Sequence, residues 1–478
     1  MEYIYLVSAI LLGVTSGIFT GLTPGIHVNT IAAITLSLGG TAFLNNIDPM
    51  MIVLFIASLS ITHTFFDVFP SLFLGIPGDE SFSLLPGHQM VKEGRGEEAL
   101  YISVMGSWFG LVMSLAIVGL ILSGVMFFDI NIIKIFNSYI KDYMFWILLF
   151  VSIVLILTDT NKVWALIVFL FSGLFGVIAL GSPLINNAGG SAFNVMFPAL
   201  AGLFGVSGLI QALFEKEGTL PKQQKYDFKQ QTDTSYIKKE SFLGSIGGMI
   251  VGLLPGLGSA NAATMLLMIQ SFFSSNKKDV ENGKKYLVSV SALNTADVLF
   301  SLLALYLIER SRSGASVAIE QILSFGISLE DTIVISMVFI IAAFLAKTII
   351  FKGSSTVIKY FSKIQYKPLT LAIIVFISLL VLFATGVWGI VVLITATLLG
   401  MVAPVVNVRR AQAMAFFLVP LLIFLSGFQA KIYTVLHLET IFSVGKEPSL
   451  QYITVILIIS CIATIATYKF SKRYFRNA

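Results

Sequence analysis

The chain has 478 residues, of which 56% are hydrophobic and only 12% are charged. A soluble domain has about a quarter of its residues charged, so this composition excludes a soluble globular protein and predicts an all-α polytopic membrane protein. The net charge of +5 says little about partners, whereas the lone Cys461 excludes an internal disulfide and a cysteine-rich zinc site.

The first apolar segment, about residues 6–38, is interrupted by Pro24-Gly25 within GLTPGIHVN. The following loop, residues 39–50, contains no Lys or Arg, so the positive-inside rule places the loop and the N-terminus outside. We therefore predict a re-entrant helical hairpin with its tip at Pro-Gly, and a simple crossing is the alternative. Non-helical backbone at that depth must be buried in protein or line an aqueous cavity.

Apolar runs that approach or reach the length of a bilayer crossing predict about eleven transmembrane helices besides the hairpins. In the first half they lie near 50–74, 99–125, 144–158, 163–181 and 195–214. In the second half they lie near 286–308, 332–351, 369–385, 387–404 and 413–431, with an additional helix at 452–470.

A polar stretch with six lysines, residues 215–241, separates the halves and is predicted to be a cytoplasmic linker. The expected domains are a first membrane repeat (1–214), this linker, a second membrane repeat (242–431) and a C-terminal extra helix with a basic tail (432–478). The tail and the sequence NVRR at 407–410 also indicate the cytoplasmic side. We expect a multi-pass protein of a prokaryotic plasma membrane with its N-terminus outside and its C-terminus in the cytoplasm.

The second half begins with another broken segment, residues 242–273, interrupted at Pro255-Gly256 and followed by four lysines in 276–285. A shift of 231 positions (244 minus 13) superimposes identical residues of the two broken segments: Gly13, Gly17, Gly21, Leu22, Pro24 and Gly25 fall on Gly244, Gly248, Gly252, Leu253, Pro255 and Gly256. Glycines spaced by four also occur in unrelated membrane helices, because small residues allow close packing. Since the lysines place the second hairpin on the cytoplasmic side, we predict two inverted-topology repeats, a common transporter plan.

Helices that start after a Pro-Gly break present unpaired N–H groups and a positive dipole end, which bind carboxylates and phosphates. We therefore predict an anion site where the two tips meet near the middle of the membrane. Its tip residues are Pro24, Gly25, His27, Asn29, Thr30, Pro255, Gly256, Ser259, Asn261 and Thr264. The unwound carbonyl groups before each break are candidates for holding Na⁺.

The apolar runs that follow each hairpin carry polar side chains related by the same shift. His63 and Thr64 fall on Asn294 and Thr295, and all four join the predicted substrate site. His63 fits a hydrogen-bonded packing residue better than a metal ligand, and no cofactor or metal is predicted beyond Na⁺ or H⁺ as the coupling ion.

Two carboxylates in these runs, Asp67 and Asp297, are candidates for the coupling site. A carboxylate inside a membrane is costly, so it takes a proton or recruits a cation. A position near the end of a span, or a structural pairing, is the alternative for each.

Residues 75–100 contain Ile76-Pro77-Gly78, a Pro86-Gly87 turn and the pattern Lys92-x-Gly94-x-Gly96-x-x-Ala99-Leu100. Composition alone indicates a loop. Together with the two Pro-Gly hairpins, however, this order resembles the large membrane permease of tripartite tricarboxylate transporters (TctA-type), especially an archaeal branch. The resemblance spans most of the chain. It implies transport of di- or tricarboxylates and, as in many relatives, a small membrane subunit and an extracellular solute-binding protein as partners.

The chain departs from that family in its second half. Residues 306–321 replace a second Ile-Pro-Gly loop, and the family's paired asparagines are reduced to Asn294-Thr295. The proline that usually closes the first motif is Val28 here and Ser259 in the second copy. Arg310 and Arg312 are either substrate-facing cations or an interfacial pair that snorkels. The resemblance therefore supports the fold more strongly than it supports a citrate-like substrate specificity.

The sequence thus predicts a secondary active transporter (permease) of organic anions coupled to Na⁺ or H⁺. The alternative is a carrier or flippase for a lipid-linked (polyprenyl) phosphate, whose head group suits the hairpin tips equally well. An enzyme is not expected. Residues 75–79 read GIPGD rather than the Gly-x-Gly-Asp motif of an intramembrane aspartyl protease, and the His-Glu-x-x-His motif of a metalloprotease does not occur. Expected partners are the anionic substrate and membrane lipid, with no nucleic acid, and a homo-oligomer is compatible with the sequence.

Overall fold

The computed structural model describes most of the chain, and all the regular elements in the described residues are helices. The described residues are 2–23, 28, 31–32, 35, 47–74, 85–128, 130, 132–181, 193–214, 221–226, 235–253, 266, 280–309, 311–323, 326–361 and 366–435. The predicted helix at 452–470 and both Pro-Gly tips lie outside them. The all-helical architecture predicted from composition is confirmed for the described part.

The described helices are numbered here in chain order. Those of the first half are α1 (Glu2–Leu22), α2 (Pro49–Phe66), α3 (Leu85–Lys92), α4 (Gly96–Phe128), α5 (Ile132–Leu157), α6 (Lys162–Gly181), α7 (Phe193–Leu200) and α8 (Ser207–Phe214). Those of the second half are α9 (Ser235–Leu253), α10 (Val280–Leu307), α11 (Gly314–Ile322), α12 (Leu329–Phe361), α13 (Tyr366–Val405), α14 (Ala415–Leu425) and α15 (Gln429–Val435). Two π-helical turns, Pro70–Leu74 and Ala201–Val206, follow α2 and α7.

The predicted spans within the described residues fall on helices, but not always on a single straight one: 195–214 comprises α7, a π-helical turn and α8, and 413–431 is divided by the bend between α14 and α15. Seven described helices are long and apolar enough to cross a membrane, and an eighth is counted if Arg410–Leu425 and Gln429–Val435, bent by 114°, form one span. Three predicted spans correspond to shorter apolar helices, Asp142–Leu157, Val195–Gln211 and Lys367–Phe383. The chain is therefore a multi-pass membrane protein, and the total of about eleven spans stays a prediction.

The gap predicted between the spans 369–385 and 387–404 is a backbone break inside α13. Gly386 has φ 68° and ψ −164° there, a conformation that is accessible almost only to glycine. One other sequence expectation differs from the structure. Pro86-Gly87 lies in the first turn of α3 rather than in a loop, where proline is tolerated because its missing N–H would have no partner. α9 begins at Ser235, inside the predicted linker.

The described residues form two compact units. Unit 1 comprises Met1–Ser138 and Lys216–Tyr366, and unit 2 comprises Tyr139–Glu215 and Lys367–Ala478. Each unit therefore takes a part of both sequence halves.

The core of unit 1 is built around α2 and α10, whose residues are almost all buried. α1 packs along α2, and α9 packs along α10. A Cβ on Gly17 would lie 2.6 Å from Thr62 Cβ, and one on Gly248 would lie 2.5 Å from Ala296 Cβ. The glycine rows predicted from the sequence are thus the surfaces on which these helix pairs touch.

Helices of the two halves also pack on each other in unit 1. α4 lies against α9 and α10, while α12 lies against α1 and α2. Hydroxyl groups bridge the first of these contacts: Ser245 Oγ donates to Gly110 O at 3.0 Å, and Ser107 Oγ donates to Ser291 O at 3.2 Å. The short helices follow the same pattern, since α3 packs on α10 and α11 packs on α2.

Unit 2 is held by close packing of α6 on α14 and by a polar joint around Asp159. The buried Asp159 carboxylate accepts from Arg409 N and from Gln412 Nε2, both at 3.1 Å, and from Thr160 N at 2.8 Å. The neighbouring Arg410 is buried and donates to Gln211. Arg409 and Arg410 of NVRR therefore form hydrogen bonds within unit 2.

Candidate functional site

The candidate site lies in unit 1 where α2 of the first half meets α10 of the second half. The hydroxyl oxygens of Thr64 and Thr295 are 3.4 Å apart, and the two residues are 5% and 0% exposed. They differ by 231 positions, which is the shift that aligns the two halves of the sequence. The structure therefore brings together two predicted site residues that occupy corresponding places.

One turn further along α2, a carboxylate joins the two halves. Asn294 Nδ2 donates to Asp67 Oδ2 at 3.2 Å. Asp67 is also the C-cap of α2, since its N–H donates to His63 O and its own carbonyl accepts from Ser71 Oγ at 2.9 Å. The carboxylate is thus fixed where the α-helix gives way to the π-helical turn at Pro70–Leu74.

The second predicted carboxylate, Asp297, has a partner on its own helix. Ser301 Oγ donates to Asp297 Oδ1 at 3.0 Å. Asp67 is therefore bonded across the two halves, whereas Asp297 is bonded within α10.

Both aspartates lie beside the last described turn of a broken helix. A Cβ on Gly21 would be 3.1 Å from Asp67 N, and one on Gly252 would be 3.0 Å from Asp297 O. Gly21 and Gly252 each precede a Pro-Gly tip by three residues. The backbones of Asp67 and Asp297 accordingly lie against the last described turns of α1 and α9.

His63 is buried in the seam between α1 and α2. Its Nδ1 lies 3.0 Å from Thr20 Oγ1, whose hydroxyl also donates to Gly17 O at 3.3 Å. In the part of the chain that the structure describes, no group of three or more His, Cys, Asp or Glu side chains could hold a metal ion.

The other sequence candidates are not all described. The tip residues of both hairpins, Pro24, Gly25, His27, Asn29, Thr30, Pro255, Gly256, Ser259, Asn261 and Thr264, lie outside the described residues, as does Arg310. Arg312 donates its backbone N–H to Ser316 Oγ at the N-terminus of α11.

Sequence reasoning missed two polar partners of the site, Thr20 and Ser301. Ser301 follows Asp297 by four residues, so helical spacing alone places the two side chains on one face. Thr20 has no such signal, because its contact with His63 depends on how α1 lies on α2.

The chemistry of the site is that of hard oxygen and amide groups without a fixed buried cation among the described site residues. Carboxylate, hydroxyl and amide oxygens suit a proton or a small hard cation. The described part of the site is thus suited to binding a proton or a small hard cation.

The sequence matches the tripartite tricarboxylate transporter TctA family over residues 7–415. It is also similar to an uncharacterized protein of Methanocaldococcus jannaschii, with 31% identity over 425 residues that cover 87% of this chain and 98% of the relative. No solved structure matches the chain.

Proposed function

The chain belongs to the tripartite tricarboxylate transporter TctA family, and on that premise we propose that it is a secondary active transporter of di- or tricarboxylates driven by Na⁺ or H⁺. The observation that supports this most directly is the Asp67–Asn294 hydrogen bond beside the Thr64–Thr295 contact, inside the core of unit 1. Polar side chains at this depth are costly, and in membrane proteins they mark ion and substrate pathways.

The proposal includes two inverted repeats. Corresponding residues of two copies can contact each other only near the axis that relates the copies, and Thr64 and Thr295 differ by the 231-residue shift. The packing is reciprocal as well, since α4 lies on α10 and α12 lies on α2. The unit boundary after Ser138 recurs after Tyr366, and 138 plus 231 is 369, three residues away. These agreements support two copies that each give their first part to unit 1, and the distribution of lysines supports their inverted orientation.

Electrostatic repulsion between an aspartate and the substrate explains how substrate binding would be coupled to binding of a cation. An ionised Asp67 or Asp297 would repel a carboxylate bound at the tips, by about 2 kcal/mol for charges about 8 Å apart at an effective dielectric constant of about 20. A proton or Na⁺ on the aspartate removes that repulsion, which corresponds to about a 30-fold gain in substrate affinity. Substrate and cation would therefore bind together and cross together.

A binding experiment tests this function. Purified protein would be screened by thermal shift with citrate, tricarballylate and succinate, across a Na⁺ series and across pH, with a polyprenyl phosphate in a parallel arm. We expect stabilisation by one carboxylate that grows with Na⁺ concentration or with falling pH. Stabilisation by the polyprenyl phosphate alone would favour the lipid-carrier alternative, and no response to any carboxylate at any cation concentration would refute the proposal.

The family premise also suggests accessory proteins. We propose that a small membrane subunit and an extracellular solute-binding protein deliver the substrate, as the resemblance implies. Affinity purification of the tagged chain from its own cells tests this, because a small polytopic partner would copurify in stoichiometric amount.

A further inference from the structure

Part of the inter-repeat linker is bound to the turn between α3 and α4. We name residues 221–226 the strap and residues 91–97 the socket. Gln224 N donates to Gly94 O at 2.8 Å, and Tyr226 N donates to Glu97 Oε2 at 2.8 Å. The Gln223 amide accepts from Gly96 N at 2.8 Å and donates to Val91 O at 3.0 Å. The strap thus pairs with backbone and side chains along the whole socket.

The strap explains the two glycines of the pattern Lys92-x-Gly94-x-Gly96. Gly94 has φ +81°, which favours glycine, and it presents its carbonyl group to the strap. A Cβ on Gly96 would lie 2.6 Å from Gln223 Oε1 and 2.7 Å from Phe73 Cε1. The two glycines of this pattern therefore allow the linker to bind. The proposed transport site does not explain them.

The same end of unit 1 carries an ion pair between the two sequence halves. Lys284 Nζ, at the start of α10, is 2.5 Å from Glu98 Oε1, and Arg95 holds the other oxygen of Glu98 at 2.8 Å. The Glu98 side chain is only 14% exposed. The N-terminal ends of α4 and α10 are therefore linked next to the residues that bind the strap.

Aromatic rings extend the contact to α12. The Tyr226 ring lies 5.6 Å from the Tyr101 ring, which stacks on Phe351 at 5.5 Å. Burial of Tyr226, helped by the nearby Glu98, raises the pKa of its phenol to about 12, so the ring stays neutral in this position. Strap, α4, α10 and α12 thus meet at one end of unit 1.

We infer that the socket is a docking site for the linker and that the docked strap, with the Glu98–Lys284 pair, locks this end of unit 1 closed. Movement of α4 away from α10 and α12 would break the Glu98–Lys284 pair and the Tyr101–Phe351 stack against which Tyr226 packs. Each contact is individually weak, so the lock can open, while their combination keeps the closed form dominant. As a step in transport, this lock rests on the proposed function.

The experiment uses the full-length Cys461→Ser protein and needs no substrate. Gln223→Ala removes both side-chain bonds to the socket. Hydrogen exchange should then speed up about tenfold or more at the Gln224 and Tyr226 amides. Nitroxide labels on cysteines replacing Lys92 and Asn282 should report a longer distance population by pulsed electron paramagnetic resonance. Gln89→Ala is the matched control, since among the described residues that exposed amide donates to Glu93 alone, at 3.4 Å.

Each outcome decides the inference. Unchanged exchange at the strap in a folded Gln223→Ala protein would overturn the socket, and faster exchange without a longer 92–282 distance would overturn the lock. Gln223→Glu keeps an acceptor for Gly96 N but places a carboxylate oxygen against the carbonyl oxygens of Val91 and Pro221, so it should also speed up exchange at the strap and serves if Gln223→Ala fails to fold. Because carboxylate binding is not measured, a failure of the proposed function would leave these results standing.

Discussion

Asp67, at the end of α2, is hydrogen-bonded to Asn294 of the other half of the chain, whereas Asp297 is hydrogen-bonded to Ser301 of its own helix. The sequence identified both carboxylates and their neighbours Thr64, Asn294 and Thr295 from polar side chains inside apolar runs. It did not identify which side chain pairs with which. Pairing depends on the rotation of α2 against α10, and that rotation follows from packing over the whole length of both helices.

The first prediction concerns Asp297. Asp297→Asn keeps the shape and the hydrogen bond with Ser301 but removes the group that takes a proton or a cation. We expect ion-driven accumulation in proteoliposomes of the carboxylate found in the thermal-shift screen to be lost, while exchange of internal for external substrate continues in part.

Ser301→Ala is the control, because it removes the hydroxyl partner and leaves the carboxylate. That variant should still accumulate substrate. If Asp297→Asn accumulates substrate against its gradient at the wild-type rate, Asp297 is not the coupling site, and Asp67 is the next residue to change.

At the scale of elements, the sequence located the long helices and the break in α13. Apolar runs separated by polar or glycine residues fix their positions, which is why Gly386 marks a predicted boundary. The short helices α3 and α11, the π-helical turns and the strap were not foreseen from hydropathy. They are held by contacts with residues far along the chain, such as Gln223 with Gly96, and hydropathy carries no record of such contacts.

The glycine seams give the second prediction. In Gly17→Ala the new methyl group meets Thr62 Cβ and Leu59 O, and in Gly248→Ala it meets Ala296 Cβ and Leu293 O. Overpacking of this kind costs about 1–3 kcal/mol, so both variants should melt at lower temperature in detergent.

Gly119→Ala is the control for both, since no described residue lies within 4 Å of a Cβ at that position, and alanine is the better helix former. Its melting temperature should be unchanged or higher. Equal melting of the Gly17 and Gly119 variants would show that the α1–α2 seam tolerates a side chain.

The third prediction concerns the polar joint of unit 2. Asp159→Ala leaves the Arg409 N–H, the Gln412 amide and the Thr160 N–H without their buried acceptor. An unsatisfied buried donor costs about 1–3 kcal/mol, so we expect a loss of at least about 3 kcal/mol and a clearly lower melting temperature. Asp142→Ala, which changes an exposed carboxylate on α5, should melt like the wild type. A wild-type melting temperature for Asp159→Ala would mean that the joint contributes nothing to stability.

On the scale of the whole molecule, the compact units and the predicted repeats divide the chain differently. The chain passes from unit 1 to unit 2, returns to unit 1 and ends in unit 2, whereas the predicted domains run 1–214 and 242–431. The two divisions are compatible with each other if each repeat contributes its first helices to unit 1 and its later helices to unit 2. Sequence comparison detects copies along the chain, but it carries no information on which parts of the copies pack together.

The last prediction tests the orientation of unit 1 in the membrane. The candidate span Pro49–Phe73 has 25 residues, about 37 Å at 1.5 Å per residue, enough to cross a hydrocarbon core of about 30 Å. It begins at the loop without Lys or Arg, and it ends at Phe73, which lies beside Gly96 in the socket. Pro49, at the end of that loop, and the strap are therefore separated by the length of this helix. Because the strap belongs to the lysine-rich linker, the positive-inside rule places it in the cytoplasm.

Single cysteines replacing Asn45 and Lys225, in the Cys461→Ser protein, should report this difference: an impermeant maleimide should label position 45 on intact cells and position 225 only after the cells are opened. Labelling of both positions from the same side would remove the topology on which the inverted-repeat proposal depends.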